Sequence, residues 1–420
     1  MKQLIHRVRS NRVASNGIFL SALTFSNYFI GLLLFPYISR VLSIEGFGLI
    51  GFSMVYVLIF QVIVEFGFMI SATGLISKHR KNKQKVAEIV SSIMLAKVLL
   101  AVVSVALFML SVLFVPMLRE NLLVVSLFLI SSLLAAMVPD FYFRGIEQMK
   151  IITIRTVSIR ALSLLLIVLL VRDESQIVWI PIAFIVGNAV ALAVTLREMY
   201  KHEVRFVRIG FARVAADIKE SAMFFMSRLA VSVNQSVGAF MLGLKFAPTS
   251  VEMGMFSGAS RISMASEMML SPVSDSLYPH MVNKKDYRLF RKVIMLGGMV
   301  WFVGCLFVFV FAETVCKILL GAEYAAAGDL LRILLFGNFM AFFSNMFGYN
   351  ALVPIGKANH ANAALLVSAV INVIACGTLW LMDTISLVSI CIVIACTNFV
   401  VFGYRGVVFW KYRHLVGRYF

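Results

Sequence analysis

The sequence is poor in charge and poorest in acids: only 14% of its 420 residues are charged, and 20 Asp and Glu stand against 38 Lys and Arg. With 61% hydrophobic residues, that shortage excludes a water-soluble fold with an ordinary polar surface. Cysteine is scarce too. Cys305, Cys316, Cys376, Cys391 and Cys396 show no CxxC spacing and no His cluster nearby, which excludes a disulfide framework and a zinc site. No GxxxxGK[ST] loop occurs, so nothing points to ATP hydrolysis. Long polar connections are missing as well; the longest are 197–219 on one side and 313–326 on the other, too short for a catalytic domain. No cofactor and no metal is indicated.

What is present is apolar sequence in lengths of about 20 residues, enough to cross about 30 Å of hydrocarbon as a helix. The runs predict an all-α integral membrane protein of about twelve transmembrane helices, over 14–38, 47–77, 87–114, 121–143, 151–171, 176–196, 217–244, 253–279, 293–312, 327–352, 360–381 and 386–410. The basic start, Met1 to Arg12, precedes a long apolar run without a small-residue cleavage site and reads as the approach to a retained first span.

A net charge of +18 suggests nucleic acid in a soluble chain, but here the cations sit in short connections, so no nucleic-acid partner is expected. Alternate connections, 144–155 and the tail from Arg405 among them, hold 28 Lys and Arg and the others five, Arg40, Arg119, Arg172, Lys245 and Lys317. By the positive-inside rule both termini are expected in the cytoplasm, with an even number of spans.

Short matches recur at nearly the same offset, with Gly145 and Gly356 four residues out of step with the rest. Ser43, Ile44, Glu45 return as Ser250, Val251, Glu252, each followed by glycines (Gly46, Gly48, Gly51; Gly254, Gly258), and Asn27 and Asn234 share the spacing. With six spans on either side of the connection 197–219, this predicts two six-helix lobes, 1–208 and 209–420. An even number per lobe places their pseudo-twofold axis along the membrane normal, with a central cavity.

Ionisable residues inside spans are costly unless they meet water, a partner or a ligand. The cations so placed are Lys97, Arg160, Arg228, Arg261 and Arg332, and the acids are Glu65, Asp140, Glu267 and Asp275. Asp140 and Arg144, four apart, read as a structural pair. On span 217–244, Ser221, Arg228 and Gln235 recur every seven residues beside Ser232, forming a polar stripe with Arg228 near mid-membrane. Ser, Asn and Gln there read first as interhelical hydrogen-bond partners, with Asn27, Asn234 and Gln235 as polar cavity candidates. Arg228, Arg261, Lys97 and Arg160 are the candidates for a cationic, substrate-binding cavity, because guanidinium suits phosphate oxygens. Glu65, Glu267 and Asp275 read as ion-coupling groups or counter-ions. Pro36, Pro139, Pro272, Pro279 and Pro354 fall in spans or at their ends and allow kinks.

The stretches NYFIGLLLFPYISRVLSIEGFGLIG (27–51), EFGFMISATGLI (65–76) and FYFRGIEQMK (141–150), with Met253 to Pro279, resemble the Wzx-type polysaccharide flippases. The resemblance covers nearly the whole chain. It implies the fold of the multidrug/oligosaccharidyl-lipid/polysaccharide superfamily and a bacterial inner-membrane location. It further implies a substrate of undecaprenyl pyrophosphate carrying an oligosaccharide such as an O-antigen unit, moved from the cytoplasmic to the periplasmic leaflet with no covalent reaction. The partners it implies are that lipid-linked oligosaccharide, membrane lipids, a polymerase and chain-length regulator of polysaccharide assembly, and protons or sodium as coupling ions. Two rival readings remain. A multidrug-type cation antiporter of the same superfamily needs an acidic cavity, and a membrane polysaccharide polymerase or glycosyltransferase needs a long outer loop or an acidic metal motif.

Overall fold

The computed structural model of the chain describes residues 30–31 and 33–416, and all regular structure among them is helical. Ten helical segments among the described residues are long and apolar enough to cross a bilayer, from Ile44–His79 to Leu387–Lys411. The protein is therefore an all-α, multi-pass membrane protein. Helices suit this solvent because each satisfies its own backbone hydrogen bonds. Exposure is inverted accordingly: the Tyr287–Val310 helix turns Met295, Leu296, Met299, Val300 and Phe307 outward, while Lys97, Arg155, Asn338, Asn372 and Arg405 are buried.

Ten differs from the expected twelve for two reasons. Most of 14–38, Asn27 included, lies outside the described residues. The expected span 253–279 is two helices, Val251–Met268 and Ser271–Lys284, with Pro272 in the first turn of the second and Pro279 inside it. Three charges, Glu252, Arg261 and Glu267, together with four serines make the first of these too polar to count among the ten.

The recurring Ser-containing turn has a local cause. Ser43 Oγ accepts the Gly46 N–H at 3.0 Å and Ser250 Oγ accepts the Met253 N–H at 3.1 Å, so both serines cap the helix they precede. The glycines that follow allow the Ile44–Glu65 and Val251–Met268 helices to approach backbone to backbone. A Cβ on Gly254 would lie 2.2 Å from Ile44 O, one on Gly48 2.8 Å from Gly254 N, and one on Gly51 2.3 Å from Ser257 Oγ.

The chain forms two compact units. One is Val57–Leu229 with the described residues before Phe35; the other is Phe35–Tyr56 with Ala230 onward. These bounds differ from 1–208 and 209–420, and the packing explains why. The first part of the Phe211–Phe246 helix belongs to the first unit because Ser92 Oγ donates to Asp217 at 2.5 Å and the Ser71 and Ser221 hydroxyls lie 2.7 Å apart. The segment 35–56 belongs to the second because its glycines lock onto Val251–Met268.

Besides the break before Asp140, two breaks at glycines interrupt spans. At Phe66–Gly67 the backbone turns left-handed (φ 40° and 75°), and a Cβ on Gly67 would sit 2.7 Å from Phe224 Cβ, so glycine fits both the conformation and the space. At Gly348 (φ −64°, ψ −105°) the span that begins at Ala322 leaves helical geometry within Met346–Leu352. Tyr287 Oη donates to Ala351 O at 2.9 Å and Asn350 Nδ2 to Ser274 Oγ at 2.7 Å, bracing the break. At the start of the next helix, Asp286 caps Tyr287–Val310 by accepting the Leu289 N–H, which holds its carboxyl below the usual range.

Candidate functional site

The second unit contains a polar cavity of about 470 Å³. The Val251–Met268 helix presents Ser257, Ser260, Arg261, Met264 and Glu267 to it, a set spaced at three and four residues and hence on one helical face. Asn234 and Gln235 come from the Phe211–Phe246 helix, and Asn398 and Arg405 from Leu387–Lys411.

Arg261 is held without a carboxylate. Its guanidinium lies 4.6 Å above the Phe35 ring, and Nη2 is 3.5 Å from Met54 Sδ. No acid among the described residues lies within ion-pair distance of it. Glu267, one and a half turns further along, accepts instead from Asn398 Nδ2 at 3.4 Å. Asn234 receives Asn372 Nδ2 at 3.3 Å on Oδ1, and Ser368 Oγ at 3.5 Å on the same atom. Gln235 is exposed to the cavity.

Arg405 is 4% exposed and also makes no ion pair among the described residues. Nη1 donates to Ser344 O at 2.9 Å and to Ser344 Oγ at 3.2 Å; Nη2 and Nε donate to Ala361 O at 3.0 and 3.3 Å. It thereby ties three helices together at the Gly348 break, where a Cβ would lie 2.9 Å from its Nη1. The sequence reading put Arg405 in the tail because it lies near the end of the last apolar run. Apolar residues on both sides of it (VVFGYRGVVFW) were the signal that it belongs inside.

The other candidate charges, Asp275 of the second unit apart, lie in the first unit. Arg228 is half exposed and faces Glu65 at 3.5 Å, so the stripe on span 217–244 has a carboxylate beside it. Glu65 also accepts from Gln61 Nε2 at 2.9 Å, and Gln61 Oε1 receives Ser132 Oγ at 3.4 Å. Lys97 is buried, donates to Ala136 O at 2.6 Å and Val138 O at 3.4 Å, and lies 5.2 Å from the centre of the Phe141 ring. Those carbonyls sit where the Leu122–Met137 helix ends before Pro139, so Lys97 satisfies groups that the helix cannot. Arg160 and Asp275 are exposed, with no ion pair among the described residues.

The expected Asp140–Arg144 pair is replaced. Asp140 Oδ1 lies 2.7 Å from Nη2 of Arg155, which is 7% exposed, and Arg155 Nη1 donates to Thr195 Oγ1 at 2.7 Å. Asp140 opens the short helix Asp140–Gly145 and is turned toward Met149–Leu170, while the buried Nε atoms of Arg144, at its far end, and of Arg155 have no hydrogen-bond partner among the described residues. Arg155 had been read as a connection residue; it lies two turns inside its helix.

Comparison with known proteins adds the following. The family model described as polysaccharide biosynthesis protein matches residues 13–285. A protein of Escherichia coli (strain K12) described as "Putative O-antigen transporter" is 26% identical over 369 residues, 86% of this chain and 88% of its own length. A protein of Shigella dysenteriae with the same description is 23% identical, over 83% and 88%. Among solved structures, the inward-facing form of a multidrug resistance MATE family transporter of the MOP superfamily aligns with a TM-score of 0.72 at 14% identity, covering 94% of each chain. The lipid II flippase MurJ in an inward closed conformation aligns with a TM-score of 0.70 at 14% identity, covering 93% of this chain and 87% of its own. The fold is thus that of the MATE and MurJ structures.

Proposed function

Because the chain belongs to the polysaccharide biosynthesis protein family, we propose that it is a flippase: it carries an undecaprenyl-pyrophosphate-linked oligosaccharide, such as an O-antigen unit, across the bacterial inner membrane. The observation that carries this reading is the cavity of the second unit, where two arginines and one carboxylate meet and neither arginine has an acidic partner among the described residues. A buried cation without a counter-ion is costly, and an anionic ligand removes the cost. The relatives described as O-antigen transporters support the substrate class.

The physical task is to bring a pyrophosphate and several sugars past about 30 Å of hydrocarbon while the polyprenyl tail stays in lipid. A hydrated cationic cavity that opens first to the cytoplasmic and then to the periplasmic leaflet does this without breaking a bond. In this mechanism Arg261 binds phosphate oxygens, and Asn234 and Gln235 offer hydrogen bonds to sugar hydroxyls. Glu267 is the group that takes up a proton or sodium ion on the return. Arg228 with Glu65, and Arg160, serve the first half, with both termini in the cytoplasm, while Lys97 holds the end of the Leu122–Met137 helix. A multidrug cation antiporter is disfavoured by the excess of arginine over carboxylate in the cavity.

With the cytoplasm negative, outward movement of an anion is downhill by about 2.3 kcal/mol per charge per 100 mV. In right-side-out membrane vesicles the rate at which lipid-linked oligosaccharide reaches the outer leaflet should fall when an ionophore collapses the potential. An unchanged rate would refute the electrical part of the mechanism.

A further inference from the structure

On another face of the last long helix, away from the cavity, lies a surface cleft of about 500 Å³. Val400, Gly403, Val407 and Lys411 line it, at intervals of three and four residues, and so form one strip along the helix. Val401 and Arg405 of the same helix point instead to the cavity. The eleven residue steps of helix from Val400 to Lys411 span about 16 Å. One leaflet of hydrocarbon is about 15 Å deep, half of the usual 30 Å. Gly403 is exposed, and a Cβ there would meet nothing within 4 Å, so no neighbouring segment of the chain requires a glycine at that point.

The strip ends in polar and cationic groups. His360 Nδ1 lies 3.3 Å from Tyr404 Oη, Lys411 is exposed, and Lys357 Nζ sits 4.1 Å from the centre of the Tyr412 ring. Asp and Glu are absent from the lining.

We propose that this cleft binds one anionic phospholipid of the surrounding leaflet, its acyl chain along Val400, Gly403 and Val407 and its phosphate at Lys411, His360 and Tyr404. The length of the strip matches one chain, and the charge at its end matches one phosphate. An amphipathic Tyr and Lys rim is where a headgroup meets its first shell of protein. The site is separate from the cavity and holds a resident lipid rather than cargo, so it does not depend on the flippase reading.

The test is native mass spectrometry of the full, delipidated chain titrated with phosphatidylglycerol, phosphatidylcholine or undecaprenyl phosphate. One phosphatidylglycerol should bind at least about tenfold more tightly than phosphatidylcholine. Lys411→Gln should weaken it about fivefold by removing one cation near the phosphate, and Gly403→Leu, which fills the strip, should weaken it without touching the charged end. Thermal unfolding of both variants at the wild-type temperature verifies that they fold. Equal binding of the two phospholipids, or variants that bind like wild type, would overturn the proposal. So would undecaprenyl phosphate binding more tightly than phosphatidylglycerol, because that occupant belongs to transport.

Discussion

Replacing Arg261 with alanine is expected to slow movement of lipid-linked oligosaccharide across reconstituted membranes by about 10- to 100-fold, with Arg261→Lys retaining an intermediate rate. Hydrogen bonds to charged groups contribute about 1.5 to 3 kcal/mol each, and a guanidinium facing a phosphate supplies at least one that lysine makes only as a point charge. Among the described residues Arg261 touches a ring and a thioether but no carboxylate, so its removal strands no buried acid there. The variant's melting temperature in detergent should therefore stay within a few degrees of wild type. A wild-type transport rate for Arg261→Ala would remove the residue from the mechanism.

The opposite pattern is expected at Arg155. Arg155→Leu leaves the Asp140 carboxylate, four-fifths buried, facing a hydrocarbon side chain. Breaking a buried ion pair by removing one partner costs about 3 to 5 kcal/mol, a large fraction of the stability of most proteins. The melting temperature should fall sharply, and Asp140→Asn added to Arg155→Leu should restore most of it, because the uncompensated charge is then gone. If the single variant melts like wild type, the pair contributes nothing to folding. If the double variant is as unstable as the single, the loss comes from the Thr195 contact and not from the charge.

These two arginines show what the sequence made legible. The apolar runs gave membrane helices directly, since about 20 residues without charge have few other uses. The Ser43 and Ser250 turns were visible as a repeat, and their structural meaning is a pair of helix caps followed by a glycine crossing. Arg261 and Glu267 were singled out because charge inside an apolar run is expensive, and both line one cavity.

Other residues were misread because sequence shows distance along the chain and hides packing. Asp140 met the cation on the next helix and not the one a turn away, since the break at Pro139 reorients its short helix. Arg155 and Arg405 lie within about a turn and a half of the ends of the runs 151–171 and 386–410 and so read as connection residues; packing of the Met149–Leu170 and Leu387–Lys411 helices buries both. Lys97 was a cavity candidate, yet its ammonium satisfies carbonyls at a helix end. The polar span 253–279 was smoothed into one helix because its break at Met269–Leu270 carries no glycine, only Pro272 beyond it.

The most direct test of the central claim is to remove the gene from its host and determine on which face of the inner membrane the undecaprenyl-linked oligosaccharide accumulates. The flippase account predicts accumulation on the cytoplasmic face, reversed by the wild-type chain and not by Arg261→Ala. Normal appearance of the lipid-linked oligosaccharide on the periplasmic face, in a host with no second transporter for it, would contradict the account.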